Sequence, residues 1–232
     1  MRRIAFFVEG LTERIFVEKF VSEILGQQHL AVELKKIQGG GRSPITVIQG
    51  NSQIPIPQTR FYILIYDCGG DSKIRSYIDD QRESLISSGY EKIIGVRDVF
   101  PESRADIFLL RQGLYYGTPQ QPIPTVFILA IMEIESWFLS EHSHFLRIDP
   151  LLTPALISSN LAFDPINDDM EGRNNPAADL HSCYNLVGKA YTKKEANVKR
   201  TVDSLDFAFL YFNIRNTLPS FNSLANEIDS LF

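Results

Sequence analysis

The sequence predicts an α/β protein, a mostly parallel sheet flanked by helices, followed by an α-helical C-terminal annex. Three observations carry this. Short, almost wholly apolar runs recur through the first half of the chain. Most are followed by a stretch with helical spacing, and the strand signal stops beyond about Phe145. Continuous apolar runs suit strands buried on both faces, and strands alternating with crossover helices imply a largely parallel, doubly wound sheet.

Residues 3–8 (RIAFFV) form the first such run. Gly10 follows, and from Thr12 a helix carries Ile15, Phe16, Phe20, Val21, Ile24 and Leu25 at spacings of three and four, ending at Gly26. A second strand is expected over 32–37 (VELKKI), before Gly39-Gly40-Gly41-Arg42-Ser43-Pro44 forces a loop. Residues 45–59, with prolines at 44, 55 and 57, read as an irregular connection. The strongest strand is 61–66 (FYILIY), ending at Asp67, with a turn at Cys68-Gly69-Gly70-Asp71 and a helix over 73–88. Residues 92–96 (KIIGV) make a strand ending at Arg97-Asp98, 103–116 a helix, and 125–132 (TVFILAIM) the last buried strand. Glu133-Ile134-Glu135-Ser136-Trp137 opens a helix in which Trp137 reads as a core anchor. Residues 164–175 are polar and read as a loop; 176–191, 193–213 and 220–232 read as helices. The expected division is an α/β domain over 1–144 and a helical region over 145–232.

Composition narrows the function. At 232 residues, 44% hydrophobic and 22% charged, the chain is ordinary globular material with enough length for a sizeable core. No apolar run reaches the ~18–20 residues that span a bilayer, and Glu9 interrupts any signal-peptide core, so a cytoplasmic protein with no membrane partner is expected. Cys68 and Cys183 make neither a disulfide framework nor a metal-ligand spacing. A net charge of -5 argues against coating nucleic acid by bulk charge. It leaves room for a local basic groove, or for acids gathered around a divalent cation.

The informative feature is where the acids fall. Apolar runs end in Glu9, Asp67, Asp98, and Glu133 with Glu135. In an open parallel sheet the C-terminal strand ends share one rim, where ligands bind. Carboxylates crowded there repel unless a proton is shared or a divalent cation sits among them, and oxygen ligands without His or Cys favour Mg²⁺ or Mn²⁺. The plainer reading of any single acid is a helix cap, with Glu13 partnering Thr12 in a first turn and Glu135 facing solvent. Basic residues offer a phosphate track for DNA or RNA: Lys193, Lys194, Lys199 and Arg200 near the C-terminus, Arg42 in the glycine-rich loop, and Arg97. The plainer reading of the 193–200 group is a solvated helix face.

Val8-Glu9-Gly10-Leu11-Thr12-Glu13 resembles the VEGxTE motif that opens Toprim domains, the fold shared by topoisomerases, bacterial primases, recombination proteins and OLD-type nucleases. Tyr66-Asp67-Cys68-Gly69-Gly70-Asp71 lies where that superfamily carries a DxD metal motif, with Gly69 in place of the second acid and Asp71 displaced. Residues 130–139 (AIMEIESWFL) look like the MEIExWxL segment of a Toprim-like bacterial family of unknown function, related to RloB-type proteins. The resemblance implies a Toprim-like fold with Glu9, and Glu13 of the same motif, in the catalytic position. It implies Asp67 and Asp71 as Mg²⁺ ligands, with Glu133, Glu135 or Asp98 completing the shell. The activity it implies is metal-dependent phosphoryl transfer, chiefly nucleic-acid hydrolysis, in phage defence or genome maintenance. The alternative is a non-catalytic Toprim-fold module acting with a partner such as an ATPase encoded elsewhere.

Overall fold

A computed structural model describes residues 1–40, 43–70 and 73–232. Six strands form one sheet in the order β3-β2-β4-β1-β5-β6. They are β1 (Arg2–Val8), β2 (Leu30–Gly40), β3 (Ser43–Ser52), β4 (Phe61–Asp67), β5 (Lys92–Asp98) and β6 (Thr125–Ala130). β4 and β5 both run parallel to β1, and β2 runs parallel to β4. The interior of β1, from Ile4 to Val8, is fully buried, as the unbroken apolar run requires. Helices α1 (Leu11–Leu25), α2 (Ile74–Ser87) and α3 (Ile107–Tyr115) are the connections between strands, and the mostly parallel α/β architecture read from the sequence is the one observed.

The chain gathers into two compact units. One comprises Met1–Arg97, Ala105–Leu129 and Leu231, and holds the sheet with α1 to α3. The other comprises Asp98–Arg104, Ala130–Ser230 and Phe232. It is built from short helices: α4 (Glu135–Ser140), α5 (His144–Ile148), α6 (Pro154–Asn160), α7 (Pro176–Asn185), α8 (Glu195–Ser204), α9 (Phe207–Phe212) and α10 (Pro219–Asp229). Its core includes Trp137, Phe138, Phe145, Tyr184 and Phe221, all fully buried. Trp137 is the anchor expected of it: its indole N–H donates to Ser220 Oγ at 2.7 Å and its ring meets Phe221 edge-on.

Two sequence readings are corrected. The segment 45–59 is not an irregular connection throughout, because β3 pairs antiparallel with β2. Thr46 to Ser52 are solvent-exposed, so this edge strand carries no buried pattern, and an edge tolerates proline. The single helix expected over 193–213 is two, α8 and α9, because the Asp206 carboxylate accepts the Phe209 N–H at 2.8 Å and starts a new helix. No helix among the described residues is long and apolar enough to cross a membrane.

Candidate metal centre

In the α/β unit, Val8 lies opposite Asp67 on neighbouring parallel strands, so Glu9 and Asp67 stand at the same C-terminal end of β1 and β4. The turn after β4 is laced to the end of β1: Cys68 N–H donates to the Val8 carbonyl at 2.9 Å and Gly70 N–H to that of Glu9 at 2.8 Å. Gly69 and Gly70 have φ of 65° and 154°, conformations side chains rarely adopt, so this turn needs its glycines. Asp67 is buried; its Oδ1 accepts the Gly69 N–H at 3.1 Å and its Oδ2 lies 3.9 Å from Arg14 Nε. The Glu13 carboxylate turns back to accept the Gly10 N–H at 3.0 Å, the cap role expected of a first-turn acid. Arg97 is buried. Asp71 and Arg42 lie outside the described residues.

The helical unit holds the tighter cluster. Asp98, the last residue of β5, and Glu133 and Glu135, which follow β6, each offer a carboxylate oxygen within 4.8 Å of the others. They are 3%, 9% and 0% exposed, so the solvent-facing position read for Glu135 is overturned. The chain reaches this arrangement through a sharp reversal after Ala130. Glu133 N–H donates to the Ile131 carbonyl at 2.9 Å across Met132, which has φ 59°. A left-handed methionine costs about 1 kcal/mol or more, and here it aims two glutamates toward one point.

Each carboxylate is oriented by a protein donor. Asp98 Oδ1 accepts the Ile134 N–H at 2.8 Å. Glu133 Oε2 accepts the Ala177 N–H at 2.9 Å, in the first turn of α7. Glu135 Oε1 accepts the Tyr191 hydroxyl at 2.6 Å. Lys193 brings its ammonium to 3.2 Å from Glu133 Oε1 and 3.8 Å from both Asp98 Oδ2 and Glu135 Oε1. Glu135 Oε2 is buried with no hydrogen-bond partner among the described residues. Burial pushes the Glu135 carboxyl up from its usual range, and the Glu133 charge adds to this, against the pull of Lys193 and Tyr191. Three acids facing one ammonium, with a carboxylate oxygen left over, form a group that could hold a metal ion.

Lys194 is the residue before α8, Lys199 pairs with Glu195 at 2.7 Å, and Arg200 donates to the Ala190 carbonyl and lies over the Tyr184 ring. The sequence suggests phosphate contact for Lys193, which instead meets the acids, and it assigns Tyr191 no site role, since a contact with Glu135 across 56 residues leaves no local signal.

No family model matches this chain, and no curated protein matches it. Among solved structures, a hypothetical protein from Pyrococcus horikoshii OT3 is similar over 100% of this chain and 98% of that one, with 13% identity and a TM-score of 0.43. The resemblance to Toprim domains rests on the sequence motifs alone.

Proposed function

We propose that this chain is a divalent-cation-dependent hydrolase of nucleic-acid phosphodiesters, with Mg²⁺ or Mn²⁺ held by Asp98, Glu133 and Glu135. The observation that carries the cation is the buried Glu135 Oε2, which has no hydrogen-bond partner among the described residues inside a triad of carboxylates. A buried carboxylate oxygen without a donor is costly, and a divalent ion removes that cost. Such an ion polarises a phosphoryl oxygen and lowers the pKa of bound water. The substrate class and Glu9 as proton carrier rest on the VEGxTE resemblance, and Asp67 as a cation ligand rests on the likeness of its turn to the DxD motif. So does the setting, phage defence or genome maintenance beside an ATPase encoded elsewhere. The test is cleavage of labelled single- and double-stranded DNA and RNA in Mn²⁺ and Mg²⁺. Cleavage lost in Asp98→Asn, Glu135→Gln and Glu9→Gln is expected; no cleavage of any substrate by the wild type rejects the reading.

Lys193 favours a second reading, a non-catalytic module. Its ammonium already neutralises part of the triad, as an internal counter-ion would. Titration with Mn²⁺ separates the two, since a counter-ion that closes the site leaves no measurable cation binding.

A further inference from the structure

Helix α3 carries the sequence IFLLRQGLY, with Arg111 its one charged residue, and only Leu114 of it is buried. The helix is fixed to its own unit along one side. Tyr115 accepts the Phe127 N–H at 3.0 Å and meets that ring edge-on, and Arg75 donates to the Gly113 carbonyl at 2.8 Å. The other side is bare: Phe108, Leu109 and the capping residue Tyr116 are 68%, 64% and 81% exposed. Leu109, Gln112, Gly113 and Tyr116 follow the i, i+3, i+4, i+7 spacing of a helix-packing stripe. A shallow hollow of about 620 Å³ opens on it, lined by these four and Tyr115. Gly113 lies at its middle, and a Cβ there would meet nothing within 4 Å. Glycine is a poor helix former, and an exposed one in mid-helix does nothing for the isolated helix. It does let a second backbone come close.

We propose that this face is the interface of a two-fold symmetric dimer, α3 packing antiparallel on the α3 of a second copy. Self-complementarity selects that occupant. An axis between Gln112 and Gly113 sets Leu109 of each copy against Tyr116 of the other, so one helix supplies both the projecting side chains and the hollow that receives them. The area suffices. With aromatic side chains of about 150–250 Å² each, the exposed parts of Phe108, Leu109, Tyr115 and Tyr116 sum to on the order of 500 Å² per copy, or 1,000 Å² across a pair, the threshold for a specific interface. The stripe itself carries no charge, so apolar contact between like faces meets no repulsion.

Sedimentation of the whole chain at up to about 100 μM tests this, a range in which an interface of this size assembles. The wild type is expected at twice its 26.4 kDa mass. Phe108→Glu with Tyr116→Glu should weaken association at least about tenfold, with circular dichroism and thermal unfolding confirming the fold. Gly113→Cys, beside the axis, should cross-link two copies on mild oxidation, since Cys68 and Cys183 are buried. A wild type that stays monomeric overturns the proposal and gives the face to a different partner. So does a dimer that survives both glutamates and does not cross-link through position 113.

Discussion

A carboxylate with one oxygen held by a tyrosine and the other sealed from water is expensive to keep charged, which makes Glu135 and its neighbour Lys193 the residues that decide what the triad does. Removing the ammonium strips a positive charge from 3.2–3.8 Å of all three carboxylates. At an effective dielectric near 20, each such pair interacts by a few kcal/mol. The Lys193 side chain is half exposed, so water takes back much of that. Lys193→Met should therefore tighten Mn²⁺ binding by at least about tenfold, roughly 1.4 kcal/mol. Glu135→Gln should abolish it, and isothermal titration reads both. If Lys193 is instead a fixed counter-ion, Lys193→Met lowers the unfolding temperature and no cation restores it, because a buried acid cluster has lost an ammonium within 3.2–3.8 Å.

At the scale of elements, the packing of α2 and β6 on β5 depends on a missing side chain. A Cβ at Gly95 would lie 2.7 Å from Phe127 Cδ1 and 3.2 Å from Ile74 Cγ2. Phe127 cannot simply swing away, since its ring is held edge-on by Tyr115. Gly95→Ala should destabilise the α/β unit by about 1–3 kcal/mol, read by chemical denaturation. In the helical unit, Ser220→Ala removes both the acceptor of the buried Trp137 N–H and the hydroxyl that donates to the buried Glu171 carboxylate, and should cost about 1–3 kcal/mol. Strands β1, β4, β5 and β6 were legible because each is an unbroken apolar run whose burial needs no partner to be specified. β3 was not, because an exposed edge strand is held by backbone pairing, which leaves no trace in side-chain hydropathy. The division between α8 and α9 was written in Asp206, a capping residue inside an otherwise helical stretch. The acids Asp98, Glu133 and Glu135 were legible as carboxylates at the ends of apolar runs. Their donors Tyr191, Lys193 and the Ala177 N–H were not, because long-range contacts bring them there and no local period encodes such contacts.

For the stability of the molecule as pH changes, the group to follow is His144. It is fully buried in the helical unit beside Phe145 and Tyr184, and burial pulls its pKa down from 6.5 to about 3. Its Nδ1 faces the Glu141 carbonyl at 2.6 Å, and Nε2 is buried with no hydrogen-bond partner among the described residues. The ring is thus neutral when folded and takes up a proton only on unfolding. Between pH 6.5 and about 3 the unfolded chain binds the extra proton, so stability is whole above 6.5 and falls as pH drops, by about 1.4 kcal/mol per pH unit. Glu141, Oε2 of which is 4.0 Å from Nδ1, works the other way: burial raises its pKa, so its contribution declines as pH rises above the ordinary carboxylate range. A comparison of wild type with His144→Phe isolates the histidine. Phenylalanine suits the aromatic surroundings, and the Glu141 carbonyl keeps the His144 main-chain N–H as donor at 3.2 Å. The variant's unfolding temperature should match or exceed that of the wild type at pH 5 by a margin that closes by pH 7.5. A margin that does not change between those two pH values would mean that His144 is not held neutral by its burial.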